Sequence, residues 1–288
     1  MFATIGAVVF GTGLWLFLLR RYDRVEPESL KSLLGVAVIG GGASLVAAAL
    51  FNEGFAGLLG VRPDFTTRAA DEPLWRIAAF CLFVGFNEEC CKAIAAVFAT
   101  RRLGNLDEPV DAMIYAMTVA LGFAAAENVI YARNYGNEVL LVRFLWPVPA
   151  HMAYAAVWGY GLARARFGAS ERTRARVFAP YVLAAGLLHA AANFLLIMES
   201  TYAALASLSG LVGLAYFAHH RLLQLVAESP FLEPGECPNC RNLNPPHAAK
   251  CVYCSTPIGG TELFRTCPCG KARVPARLNA CPECGNVM

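Results

Sequence analysis

Six residues able to activate water or hold a developing negative charge stand inside otherwise apolar stretches: Glu88, Glu89, Glu127, His151, His189 and Asn193. A carboxylate at bilayer depth costs roughly 2.5–3.5 kcal/mol on insertion scales, so its retention there points to a task. A carboxylate can serve as a general base toward water. An imidazole one helical turn from a carboxamide, as His189 stands to Asn193, offers two donors to one point, which suits an oxyanion. Glu88 and Lys92 are four apart with the acid first, the favoured order for a pair on one helix face. Glu89 then points about 100° away, to an adjacent face. Each residue also has a plainer reading. A lone histidine is packed and hydrogen-bonded across helices, Asn193 glues two helices, and Glu88 with Lys92 forms a neutralised pair. Those readings weaken when they must together cover three carboxylates, two histidines and an asparagine.

The elements that must position these residues follow from composition. Of the 288 residues 57% are hydrophobic and 16% charged, with a mean hydropathy of +0.48, too apolar for an ordinary soluble domain. The expected fold is an all-α polytopic membrane protein of seven spans, over about 2–19, 33–51, 74–99, 110–132, 139–163, 177–198 and 201–219. Pro147 and Pro149 divide the fifth run into a short interfacial helix and a span beginning near Ala150. Gly40, Gly41, Gly42 and Ser44 permit close helix packing. The first run, followed directly by Arg20 and Arg21, reads as an anchor and not as a signal peptide. The first, third and fifth loops hold eleven basic residues (Arg20, Arg21, Arg24, Lys31, Arg101, Arg102, Arg164, Arg166, Arg172, Arg174 and Arg176), against Arg62, Arg68 and Arg133 in the second and fourth. Positive residues favour the cytoplasm, which puts the N-terminus outside and the C-terminus inside. At about 1.5 Å per residue, Glu88, His151 and His189 come roughly 18–21 Å along their runs and Glu127 about 25 Å, converging on the central to outer layer.

With those positions fixed, the residues resemble a known family. Glu88-Glu89-Cys90-Cys91-Lys92, then Glu108-Pro109-Val110-Asp111 leading to Gly122-Phe123-Ala124-Ala125-Ala126-Glu127-Asn128, then His151, then His189-Ala190-Ala191-Ala192-Asn193 look like the PrsW family. These are bacterial intramembrane proteases related to the Abi and CAAX prenyl endopeptidase superfamily. The resemblance covers about residues 74–198. It implies peptide-bond hydrolysis in or beside the bacterial plasma membrane, acting on a single-span membrane protein such as an anti-sigma factor. Glu88 is then the base, with Glu127 or His151 sharing that task, and His189 and Asn193 stabilise the oxyanion. Glu89 orients the base or the substrate, Lys92 holds the acidic pair ionised, and Asn128 supports Glu127. The superfamily's chemistry has been argued both with and without metal. Glu and His ligands could hold zinc, but no His-Glu-x-x-His spacing occurs, and the metal-free version is favoured here.

Beyond a linker at 220–236, which bears Pro230 and Pro234 and reads as a short cytoplasmic helix and hinge, the chain changes character. Cys237-x-x-Cys240, ten residues and Cys251-x-x-Cys254 are followed by Cys267-x-Cys269, eleven residues and Cys281-x-x-Cys284. Each half offers four thiolates on two knuckles, the arrangement of a β-rich double zinc ribbon over 237–288 holding two structural zinc ions. Disulfides conflict with a reducing cytoplasm. His247 finds no vacancy when four cysteines already serve each half. Six Lys and Arg against three Glu look basic over 234–288, yet two tetrathiolate zinc sites add about −2 each. A protein-binding or regulatory module is expected, and nucleic acid is not. Two other functions compete. A transporter or channel also keeps ionisable residues at mid-bilayer, but predicts inverted repeats and paired broken helices. A membrane-anchored adaptor working through its zinc tail leaves the intramembrane carboxylates without a purpose.

Overall fold

The computed structural model describes residues 2–60, 72–103, 106–232, 235–244, 250–258, 264–267, 269, 273–275, 281 and 284–286. Arg62, Arg68, Pro234 and His247 lie outside them. The helices are α1 (Phe2–Arg20), α2 (Leu30–Gly35), α3 (Gly42–Leu59), α4 (Leu74–Leu103), α5 (Pro109–Tyr135), α6 (Val139–Leu145), α7 (Pro147–Gly168), α8 (Arg174–Ile197) and α9 (Thr201–Val226). A π-helical segment, Val36–Gly41, joins α2 to α3 without a break, so the expected second span is the middle of a longer rod.

Among the described residues six helical stretches are long and apolar enough to cross a membrane. The seventh, α4, has 30 residues and carries Glu88, Glu89 and Lys92 within it. Its neighbours explain how it tolerates them. α5 is buried on every face from Pro109 to Ala124, as expected of a helix apolar all round at the centre of a bundle. α7, the π-helical segment, α1 and α4 pack around it. Large apolar residues such as Phe10 and Phe17 on α1, Ile39 on the π-helical segment, Phe51 on α3, and Tyr202 and Val212 on α9 face outward, a surface suited to lipid.

Small residues set the closest crossings. A Cβ on Gly41 would meet the Gly122 backbone at 2.5 Å, and one on Gly85 would meet the Gly186 carbonyl at 2.5 Å and Ala190 N at 2.6 Å. The α4–α8 crossing at Gly85 lies one turn from Glu88 and Glu89 and opposite His189, so backbone contact there fixes the distance between the acids and the imidazole.

α6 and α7 break at Trp146, as the prolines predict, so His151 stands in the second turn of α7. The helix expected at the start of the link is continuous with the last span, because Leu222, Leu225 and Val226 bury an apolar face against the bundle and α9 runs on through Val226. In the tail, β1 (Phe264–Thr266) pairs antiparallel with β2 (Arg273–Pro275), and isolated bridges join Glu236 to Leu243 and Lys250 to Pro257.

Gly85→Val should cost upwards of about 1–3 kcal/mol, because the opposing atoms are backbone and cannot give way. Gly54→Ala, with open space around it, should leave thermal unfolding of the detergent-solubilised protein unchanged.

Candidate functional site

Glu89 is the most enclosed of the acids. Its Oε1 accepts from Lys92 Nζ at 2.7 Å and from His189 Nδ1 at 2.9 Å, and its Oε2 accepts from Trp158 Nε1 at 2.9 Å. Both Glu89 and Lys92 are fully buried. Lys92 Nζ also donates to His151 Nδ1 at 2.9 Å and lies 4.2 Å from the centre of the Phe123 ring. Its distance to Glu88 Oε2 is 3.6 Å. The expected Glu88–Lys92 pairing is thus secondary. On a helix both the third and fourth residues back are within reach, and Trp158 and His189 settle the contest by fixing Glu89 toward the ammonium.

Glu127 has a different partner. Arg143, on the short helix α6, donates to Glu127 Oε2, and its Nε donates to Asn128 Oδ1 at 2.6 Å. The guanidinium also stacks 3.6 Å from the Tyr131 ring centre. His151 Nε2 faces Glu127 Oε2 at 3.3 Å. Asn128 is therefore a brace for Arg143 and reaches Glu127 only through it.

Glu88 is the acid left over. Its Oε1 accepts from Asn52 at 3.3 Å, and Asn52 is held in turn by Asn87 at 2.8 Å. Its Oε2 is buried without a hydrogen bond, 3.8 Å from His189 Nε2. Glu88, Glu127, His151, His189, Asn193 and Tyr154 line a cavity of about 570 Å³. Glu89 and Lys92 stay behind its wall. Tyr154 stacks on the His189 ring at 4.9 Å, which holds the imidazole edge toward Glu88. The bundle thus gathers all six polar residues from four separate helices, five around the cavity and Glu89 beneath it. Asn193 faces the cavity one turn beyond His189.

Three carboxylates here face two fixed cations, Lys92 and Arg143. Hydrogen-bond direction fixes the imidazoles. An ammonium only donates, so His151 Nδ1 accepts from Lys92 and its Nε2 carries the hydrogen offered to Glu127. A carboxylate only accepts, so His189 donates Nδ1–H to Glu89 and turns Nε2 into the cavity.

The family described as "PrsW family intramembrane metalloprotease" matches residues 28–219, two thirds of the chain. The chain belongs to the PrsW family. Similar proteins include Protease PrsW of Bacillus subtilis (strain 168), 32% identical over 118 residues, which cover 41% of this chain and 54% of that protein. Protease PrsW of Clostridioides difficile (strain 630) is 32% identical over 123 residues, 41% of this chain and 52% of that protein. For Protease PrsW of Geobacillus kaustophilus (strain HTA426) the identity is 30% over 115 residues, 40% and 50% of the two chains. The chain thus spans about half the length of the curated relatives it matches. No solved structure matches it. With this family and these helices, it is a multi-pass membrane protein.

Sequence reasoning missed Arg143, Trp158, Asn52 and Asn87. Arg143 left a signal, being the sole Lys or Arg in the run 139–163. In the tail, Cys237 Sγ lies 3.6 Å from Cys254 Sγ, Cys240 3.5 Å from Cys251, Cys267 3.5 Å from Cys284 and Cys269 3.8 Å from Cys281. No disulfide forms. Four sulfurs around one ion at about 2.3 Å sit about 3.8 Å apart, so each cluster could hold a metal ion.

Lys92→Met strands Glu89 in the interior and should lower stability by about 3–5 kcal/mol. Adding Glu89→Gln should restore part of that loss in a double-mutant cycle read by thermal unfolding. Strictly additive losses contradict the pairing.

Proposed function

We propose that this chain is an intramembrane endopeptidase that hydrolyses a peptide bond of a membrane-protein substrate at this cavity, with Glu88 as general base. The observation that carries the reading is Glu88 on the cavity wall, its Oε2 without a hydrogen bond and 3.6 Å from Lys92, while Glu89 and Glu127 are each held closely by a cation. Glu88 accepts a proton from a water molecule in the cavity. The water oxygen bonds to the scissile carbonyl carbon, and the carbonyl oxygen becomes an oxyanion. His189 Nε2–H and the Asn193 carboxamide present donors to that charge. Glu88 then passes its proton to the leaving nitrogen as the C–N bond breaks. Glu89 is a positioning residue that orients His189, and Lys92 and Arg143 hold the other two acids in place. His151 presents its Nε2–H to the same cavity.

The family's description implies a metal ion, and Glu88, His151 and His189 bring one donor atom each within 4.8 Å. The hydrogen bonds formed here compete with such an ion: Lys92 takes the His151 Nδ1 lone pair, which puts the ring hydrogen on the nitrogen facing the cavity, and a buried ammonium already stands 3.6 Å from Glu88. We assign zinc instead to the two tail clusters, as structural ions in a cytoplasmic module that binds a protein partner. The N-terminus then lies outside. Supporting this orientation, the tail meets the arginine-rich end of the bundle, where Arg24 donates to Asn239 and Arg241 donates to the Val25 carbonyl at 3.1 Å.

Reconstituted wild-type protein should cleave a single-span membrane substrate. Glu88→Gln, nearly isosteric, should remain folded and lose at least about 10²–10⁴-fold in rate, the usual size of a general-base contribution. Cleavage retained by Glu88→Gln removes the base, and ion flux without cleavage points to a transporter. Loss of cleavage on Cys237→Ser with the bundle intact favours an adaptor.

A further inference from the structure

A second buried group of acids lies at the far end of α5. Asp111 in the first turn of α5 is 16 residues before Glu127, about 24 Å along the helix, so this group is distinct from the cavity. Asp23 and Glu28 come from the connection between α1 and α2, Asp107 and Glu108 from the approach to α5. Asp111 and Glu108 are fully buried, and Asp23 is 4% exposed.

Three of these carboxylates share one arrangement. Asp23 Oδ2 accepts from Glu28 N at 2.7 Å, Asp111 Oδ2 accepts from Glu108 N at 2.8 Å, and one oxygen of Glu108 accepts from the Ser229 hydroxyl. In every case the second oxygen, Asp23 Oδ1, Asp111 Oδ1 or Glu108 Oε2, is buried with no hydrogen-bond partner. Ligand atoms of the three residues lie within 4.8 Å of one another. Among the described residues no Lys or Arg forms an ion pair with any of the three. A buried anion without a partner is costly, and three sharing one point are more so. One oxygen of each is held by a donor while the other is left without one, the way outer hydrogen bonds hold metal ligands and leave an oxygen for the ion.

We infer that Asp23, Glu108 and Asp111 form a binding site for one hard divalent cation, magnesium or calcium. Oxygen-only ligands select such ions over zinc or copper. Glu28 and Asp107 flank the site, and Glu28, Asp107 and Asp111 also bring ligand atoms within 4.8 Å of one another, so Asp111 faces both groups. Burial pushes the Glu108 carboxyl up to about 8 and Asp23 up to about 6, the mark of acids crowded away from water. The ion ties the α1–α2 connection to the start of α5. Through the Ser229–Glu108 hydrogen bond it also reaches the segment that follows α9.

The test uses the full-length, zinc-loaded protein in detergent. Magnesium chloride and calcium chloride are titrated separately against sodium chloride of matched ionic strength, with the unfolding temperature as readout. One divalent salt should give a saturable rise that sodium does not. Asp111→Asn and Glu108→Gln should be at least as stable as wild type in sodium chloride, because they relieve repulsion, and should lose the rise. Equilibrium dialysis with Mn²⁺ as probe should find one ion per wild-type chain, displaced by magnesium or calcium and absent from Asp111→Asn. A rise kept in full by both substitutions, or equal Mn²⁺ binding by wild type and Asp111→Asn, overturns the site.

Discussion

The ammonium of Lys92, fully buried in the middle of the bundle, is the constraint on which the site depends. A charge in that position survives only if its three donors find acceptors. Glu89 and His151 take it at 2.7 and 2.9 Å, and Glu88 stands at 3.6 Å. From this one point the rest is determined. Glu89, drawn to Lys92, accepts from His189 and Trp158 and is locked below the cavity. His151, giving up its Nδ1 lone pair, turns a donor toward Glu127. Glu127, already engaged by Arg143, is not free. What remains is one carboxylate, Glu88, with an open oxygen on the cavity wall. The arrangement separates acids that only hold geometry from the acid that is available to react.

The scaffold permits this because its helices approach through small residues where the charges sit. Gly85 against Gly186 brings α4 and α8 to backbone contact one turn from Glu89 and His189. Without that approach the 2.9 Å contact between them could not form, and both would need water that the interior lacks. The opposite end of α5 repeats the theme in another form, with acids from two connections and from its own first turn buried together. The two polar centres stand at opposite ends of the same buried helix.

Much of this was legible in the sequence, for identifiable reasons. The spans follow from apolar runs, and the break before α7 follows from Pro147. Glu88, His151 and His189 stood out because a polar residue in an apolar run has few alternatives. Pairings were less legible. Glu88 and Glu89 both reach Lys92 along the helix, and only Trp158 on α7 and His189 on α8 decide between them. Arg143 left its signal as the sole basic residue of an apolar run, but its partners Glu127 and Asn128 lie on α5, and only the packing of α6 on α5 joins them. Asn52 and Asn87 could not be paired without knowing that α3 lies against α4. The cluster around Asp111 could not be read as a group: Glu108 and Asp111 stand in one motif, but Asp23 and Glu28 come from a distant connection, where acids are ordinary, and only the fold buries them together.

The proposed acid–base chemistry uses protein groups alone, with transition metal confined to the cysteine tail. Elemental analysis of purified, cleavage-competent protein tests this directly. The prediction is two zinc ions per chain, unchanged by Glu88→Gln and by His189→Ala, and lowered to one by Cys237→Ser or by Cys281→Ser. A third zinc or other transition-metal ion per chain, lost together with activity in Glu88→Gln, would contradict it.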